Sequence, residues 1–227
     1  MASSVSSLVI KNNLYKKVPY YCITLLKKYI IIKKHKSGKH MKRPEPIDNE
    51  IKLSTRRYIV SKTDPKGVIE YGNDYFVEIS GYKEAELIGQ PHSIIRHPDM
   101  PKIVFKMMWD RIQKNQNIMA VVKNLAKDGS YYWVVTEFEA KVDPVTNEPI
   151  SYTAFRKAAP PKAVEAIAPI YQKLIEIEEK GGMEASEKYL RGFLEEKGVS
   201  YDELINELVE NKGIFRLFFT AMKKMFS

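Results

Sequence analysis

The stretch Ile118–Lys157, IMAVVKNLAKDGSYYWVVTEFEAKVDPVTNEPISYTAFRK, decides the fold. In three runs, 118–125, 131–142 and 150–157, apolar and β-branched residues recur with the period of two expected of strands that bury one face. Lys127-Asp128-Gly129 separates the first two runs, and Asp-Gly between apolar segments favours the tight turn of an antiparallel hairpin. Asp143-Pro144-Val145-Thr146-Asn147 separates the second and third with turn residues. Three consecutive antiparallel strands are therefore expected.

Reading toward the N-terminus, Tyr58-Ile59-Val60 is a strand candidate, Asp64-Pro65-Lys66-Gly67 a turn, and Val68–Tyr71 a second short strand. From Asn73 the spacing becomes helical, with Tyr75, Phe76, Ile79, Leu87 and Ile88 punctuated by Gly81 and Gly89, which predicts short helices rather than one long one. Pro101 stands where a helix would begin, ahead of a stripe formed by Ile103, Val104, Met107, Met108, Trp109 and Ile112. The order β-β-α-α-α-β-β-β predicts an α+β domain: a five-stranded antiparallel sheet with its helices gathered over one face and space for a small molecule between them.

Beyond Pro160-Pro161 the pattern is helical. Ala163, Ile167, Ile170, Leu174 and Ile177 form an a/d seam, which Gly181-Gly182 is expected to stop. A second helix carries Ala185, Tyr189, Leu190, Phe193 and Leu194, and Ser200-Tyr201-Asp202-Glu203 resembles a capping box that opens a third. A last apolar segment, Ile214 to Phe226, is interspersed with Arg216, Lys223 and Lys224 and reads as a docking or membrane-surface element, or as packing within the chain. Residues 1–50 read as a basic extension, 51–158 as the α+β domain and 159–227 as a C-terminal helical region for signalling or interaction.

Composition narrows the function classes. The net charge of +9 is almost all in residues 1–50, where 11 Lys/Arg face 3 Asp/Glu; the rest of the chain is nearly balanced. No general field attracts a phosphate backbone, so no nucleic-acid partner is expected. Lys residues interrupt every apolar run between Leu8 and Lys36, which argues against a membrane span there. That tail reads as a floppy basic extension, as an amphipathic segment touching the inner face of a membrane, or as sequence ahead of a natural start at Met41. Cys22 is the single cysteine, which makes a reducing, cytoplasmic setting the simplest one. No metal-ligand spacing, nucleophile elbow or phosphate loop is present, so neither a metal nor catalytic turnover is expected.

Two groups of residues carry a family resemblance. Tyr71-Gly72-Asn73-Asp74-Tyr75-Phe76 with Ser80-Gly81-Tyr82 resembles the strand-to-helix stretch of PAS domains. The string Gly89-Gln90-Pro91-His92-Ser93-Ile94-Ile95-Arg96-His97-Pro98-Asp99-Met100-Pro101, with Met108-Trp109, Val122-Lys123-Asn124 and Tyr132-Trp133-Val134, resembles PAS sensors of the aerotaxis (Aer) and energy-taxis (CetB) kind. The resemblance implies a PAS fold that holds FAD without covalent attachment, senses redox or energy state, and signals to a methyl-accepting chemotaxis-type transducer. It also implies site residues. Arg96 and His97 would give hydrogen bonds and positive charge to the flavin or its diphosphate. Asp99 would accept from ribose hydroxyls or fix Arg96, and Asn73 and Asn124 would follow the edge of the isoalloxazine ring. Aer-like sequences carry a Trp in a cofactor-contacting position where this chain has Ile118, an aliphatic residue that covers a ring without an indole N–H.

Each of these residues also has a structural reading. Arg96, His97 and Asp99 suit an ion pair and cap ahead of the helix near Pro101, Asn73 suits an ordinary helix N-cap, and Asn124 suits turn backbone. Rival readings of the whole are a cofactor-free PAS interaction module and a PAS sensor of haem or a small metabolite, with His92 or His97 as the axial ligand. The C-terminal seam or the sheet offers a homodimer contact.

Overall fold

The structure, a computed structural model, describes residues 43–210. The expectations for the basic tail and for the apolar segment 214–226 lie outside the described residues.

The strands are β1 (Ile59–Thr63), β2 (Ile69–Gly72), β3 (Met119–Leu125), β4 (Tyr131–Val142) and β5 (Pro149–Ala158). The helices are α1 (Asp74–Ser80), α2 (Glu84–Leu87), α3 (Lys102–Ile112), α4 (Pro161–Lys197) and α5 (Tyr201–Glu210), with a 3-10 turn at His92–Ile95. The five strands form one antiparallel sheet in the order β2-β1-β5-β4-β3. The last strand thus lies in the middle, paired on one side with β1 and on the other with β4.

The period-two reading of the hairpins is realised in the register. Met119 to Leu125 pair with Glu137 to Tyr131, and Val134 to Val142 pair with Ala158 to Pro149, with one irregularity at Lys141/Val142. The inward row of β4, Tyr132, Val134 and Thr136, is buried, whereas Glu137 and Glu139 are exposed. Phe76, Ile79, Leu87, Ile95, Val104 and Met108 from the helical segments are buried with Ile59, Val122 and Ala154 from the sheet. A sheet with helices on one face buries a single apolar layer between them.

Asn73 ends β2 and starts α1. Its Oδ1 accepts from Phe76 N and Val60 N, both at 3.0 Å, and its Nδ2 donates to Tyr58 O at 2.8 Å. Three of the four hydrogen-bonding positions of this side chain serve to join β1 to α1.

After β5, α4 packs against the same domain. Ala163, Ile167, Ile170 and Leu174 of the a/d seam are buried, and Tyr171 donates its hydroxyl hydrogen to Val121 O of β3 at 2.7 Å. The expected stop at Gly181-Gly182 is realised: Gly182 leaves helical geometry, at φ 75° and ψ 178°, and α4 is two helices joined across this kink. Ser186, beyond the break, donates to Glu178 before it at 3.1 Å, which bridges the two halves. Among the described residues no helix is long and apolar enough to cross a membrane, and no His/Cys/Asp/Glu group is arranged to hold a metal ion.

Candidate ligand cavity

A cavity of about 390 Å³ lies between the sheet and the 3-10 turn and α3. Its volume falls in the range of small-molecule sites, about 300–1,000 Å³. The floor is the inner face of the sheet: Ser61 and Thr63 of β1, Val122 and Asn124 of β3, Thr136 and Phe138 of β4, and Tyr152, Ala154 and Arg156 of β5. These are alternate residues of each strand, so the period that builds the core also builds the floor.

Aromatic side chains form much of the wall. Trp109 of α3 meets Tyr152 edge-on, with ring centroids 5.7 Å apart and planes at 80°. The Asp64–Gly67 turn reaches the same region, and a Cβ on Gly67 would sit 2.9 Å from the Trp109 ring. Gly67 also has φ +79°, a conformation that L side chains rarely adopt, so the turn approaches Trp109 because it ends in glycine.

The polar lining is one-sided. It contains Lys66, Arg96 and Arg156 and no carboxylate. Arg156 is 3% exposed; its guanidinium donates to Ser61 Oγ at 2.9 Å and to His92 Nε2 at 2.9 Å. Burial pulls its pKa down to about 10. No carboxylate in the lining offsets this charge, and its removal from water is costly. Arg96 lies 3.7 Å from the ring centroid of Phe105, a cation–π contact that holds it at the wall.

His92 is half-buried at the edge of the cavity. Because Arg156 only donates, His92 Nε2 accepts, and the ring is neutral with its proton on Nδ1. Burial, then the charges of Arg156 and Arg96, hold its pKa well below the ordinary histidine value. Ser61 Oγ lies 3.0 Å from the same nitrogen, and Phe76 stacks on the ring with centroids 6.0 Å apart and planes at 4°.

Two further polar groups on the floor have no hydrogen-bond partner among the described residues: Asn124 Nδ2 and Thr136 Oγ1. Both residues are buried, at 4% and 1% exposure.

Of the six residues singled out in the sequence, Arg96 and Asn124 line this cavity and pair with each other through a backbone bridge. The other four lie outside its lining. Asn73 is the α1 cap. His97 is buried, its Nδ1 accepts from Asp99 N at 3.1 Å, and its ring meets Tyr131 edge-on. Burial, then Lys123, lowers its pKa to about 4 against the opposing pull of Asp99. Asp99 is exposed and pairs with Lys123 Nζ at 2.7 Å, the partner in place of Arg96. Ile118 is buried just ahead of β3.

Ser61, Thr136 and Arg156 of the floor, with His92 of the 3-10 turn, complete the polar lining, and sequence reading assigned no ligand contact to Ser61, Thr136 or Arg156. The available signal was the parity of Thr136 and Arg156 with their apolar strand neighbours, but only the pairing of β1 with β5 and β5 with β4 brings the three together.

Residues 69–155 match the family model described as the PAS fold. The chain is 41% identical over 118 residues to the aerotaxis receptor of Escherichia coli (strain K12), which is 51% of this chain and 22% of that protein. It is 32% identical over 75 residues to the bacterioopsin transcriptional activator of Halobacterium salinarum, 33% of this chain and 11% of that one. The chain therefore spans at most about a fifth of the length of these curated relatives. Among solved structures, a light-oxygen-voltage domain examined with a flavin analogue aligns over 51% of this chain and 86% of its own at 18% identity, with a TM-score of 0.44.

Proposed function

We propose that this chain, a PAS sensor resembling the aerotaxis receptor, binds FAD in the cavity, senses redox or energy state in the cytoplasm, and signals to a methyl-accepting chemotaxis-type transducer. The reading rests on one observation above all. In a chain 41% identical over 118 residues to the aerotaxis receptor, a cavity of small-molecule size is lined by three cations, no carboxylate and two unpartnered polar groups.

That lining fits a flavin. Trp109, Tyr152, Phe138 and Val122 would offer apolar and aromatic surface to a flat ring system, while Asn124, Thr136 and Arg156 would offer hydrogen-bond donors to its polar edge. When bound, FAD would supply reversible electron uptake, the chemistry the protein itself lacks. The protein's part is to orient the ring, exclude water and fix the local charge. Arg156 holds positive charge at the floor, and His92 stays neutral beside it. Within the three regions 1–50, 51–158 and 159–227, sensing belongs to the second and signalling to the third.

The wall also connects to the C-terminal helices. Phe105, Met108, Trp109 and Ile112 of α3 line the cavity. Glu178 of α4 accepts from the first amides of α3, Lys102 N at 2.9 Å and Ile103 N at 2.8 Å. At the other end of α3, Arg111 pairs with Asp202 of α5 at 2.6 Å. A displacement of α3 by ligand or charge would reach both helices, which is the two-state element a sensor needs.

The absorption spectrum of purified protein, before and after addition of FAD and then dithionite, tests the proposal. Flavin bands that bleach on reduction are expected. A sharp Soret band would replace FAD with haem, and a spectrum unchanged by FAD would leave a cofactor-free module or a metabolite sensor.

A further inference from the structure

Thr136 is one of the buried residues whose polar group the fold leaves without a partner among the described residues, and it lines the cavity. It sits on the inward row of β4 after Val134 and Val135 and is 1% exposed. Its neighbour across the sheet is Arg156, the two being register partners between β4 and β5. Arg156 has five N–H donors, and the hydrogen bonds to Ser61 and His92 engage two of them. Asn124 adds a second unpartnered donor on β3. Valine has nearly the shape of threonine and a strong strand preference, so an apolar floor at this position would cost the fold less than a buried hydroxyl without a partner.

We propose that Thr136 and Arg156 form a ligand subsite on the sheet floor, which takes a negatively charged or electron-rich oxygen of the ligand, and that Thr136 is its specificity residue. The three donors supply hydrogens and Arg156 supplies charge, so a ligand edge rich in acceptors is preferred over an apolar or donor edge. The inference rests on the flavin reading only for the identity of the ligand, where the matching atoms are the carbonyl oxygens of the ring. The placement of the subsite rests on the cavity itself.

Thr136→Val tests it in two ways that separate its failure from that of the flavin reading. In the ligand-free full-length chain, Thr136→Val is expected to raise the melting temperature, because the unpartnered hydroxyl is removed without loss of shape. In a titration with FAD followed by fluorescence quenching, the same variant is expected to bind roughly two- to tenfold more weakly, the worth of one hydrogen bond. Thr136→Ser, which keeps the hydroxyl, is expected to restore wild-type affinity. A lower melting temperature for ligand-free Thr136→Val would show that the hydroxyl serves the fold and would overturn the inference, as would equal FAD affinity of wild type and Thr136→Val. Failure of the wild type to bind FAD, with a raised melting temperature for Thr136→Val, would overturn the flavin reading and support the subsite for a different acceptor-rich ligand.

Discussion

Asn73 and Arg156 show how differently single residues disclose their roles. Asn73 stands at the change from strand to helix spacing, where an N-cap is expected, and its three hydrogen bonds realise that role. Asn73→Ala is expected to destabilise the protein by about 1–2 kcal/mol in urea denaturation. Flavin affinity measured well below the transition should be unchanged; a selective loss of affinity at full stability would return Asn73 to the site. Arg156 gives no comparable local signal, because one Arg in a strand ordinarily faces solvent, and its burial becomes visible only when Ser61 and His92 are brought to it from 95 and 64 residues away. The histidines make a pH prediction. His92 is held neutral, and the pKa of His97 is lowered to about 4, so both bind a proton more readily unfolded than folded. Their contribution to stability is complete above the ordinary histidine pKa of about 6.5 and is lost as pH falls below it, for His97 progressively down to about 4. The melting temperature should therefore fall between pH 7 and pH 5; a flat profile would contradict the neutral assignment.

Among the elements, the three C-terminal strands of the sheet were legible to within a residue or two because each repeats the period of two and is bounded by turn residues. The helices over the sheet were legible as short pieces, although the 3-10 geometry at His92–Ile95 was not. The break within α4 was legible from its two adjacent glycines, of which Gly182 departs from helical geometry, whereas the side-chain bridge across it was not. Glu178 was not legible at all, since its role depends on α3 arriving 75 residues earlier in the chain. Its carboxylate closes the open N-terminus of α3, which has no side-chain cap of its own at Pro101. Glu178→Ala should cost about 1–2 kcal/mol, the usual loss on removing a cap, and should speed hydrogen exchange at the Lys102 and Ile103 amides. Unchanged exchange there would show that α3 is held by its packing alone.

For the whole molecule, the connection that matters runs from the cavity through α3 to the C-terminal helices. Oxidised and reduced protein should differ in hydrogen-exchange protection at the start of α3 and along α4; identical protection across both would remove the proposed route of signalling. The central claim is that the ligand lies between the sheet and α3, and Ala154, a small residue on the floor, gives access to it. The most direct measurement is a titration of wild type and Ala154→Phe with FAD, with circular dichroism to establish that both are folded. Wild type should bind and folded Ala154→Phe should not, because the larger side chain occupies the cavity. Equal binding by the two proteins, or none by wild type, would contradict a flavin site in this cavity.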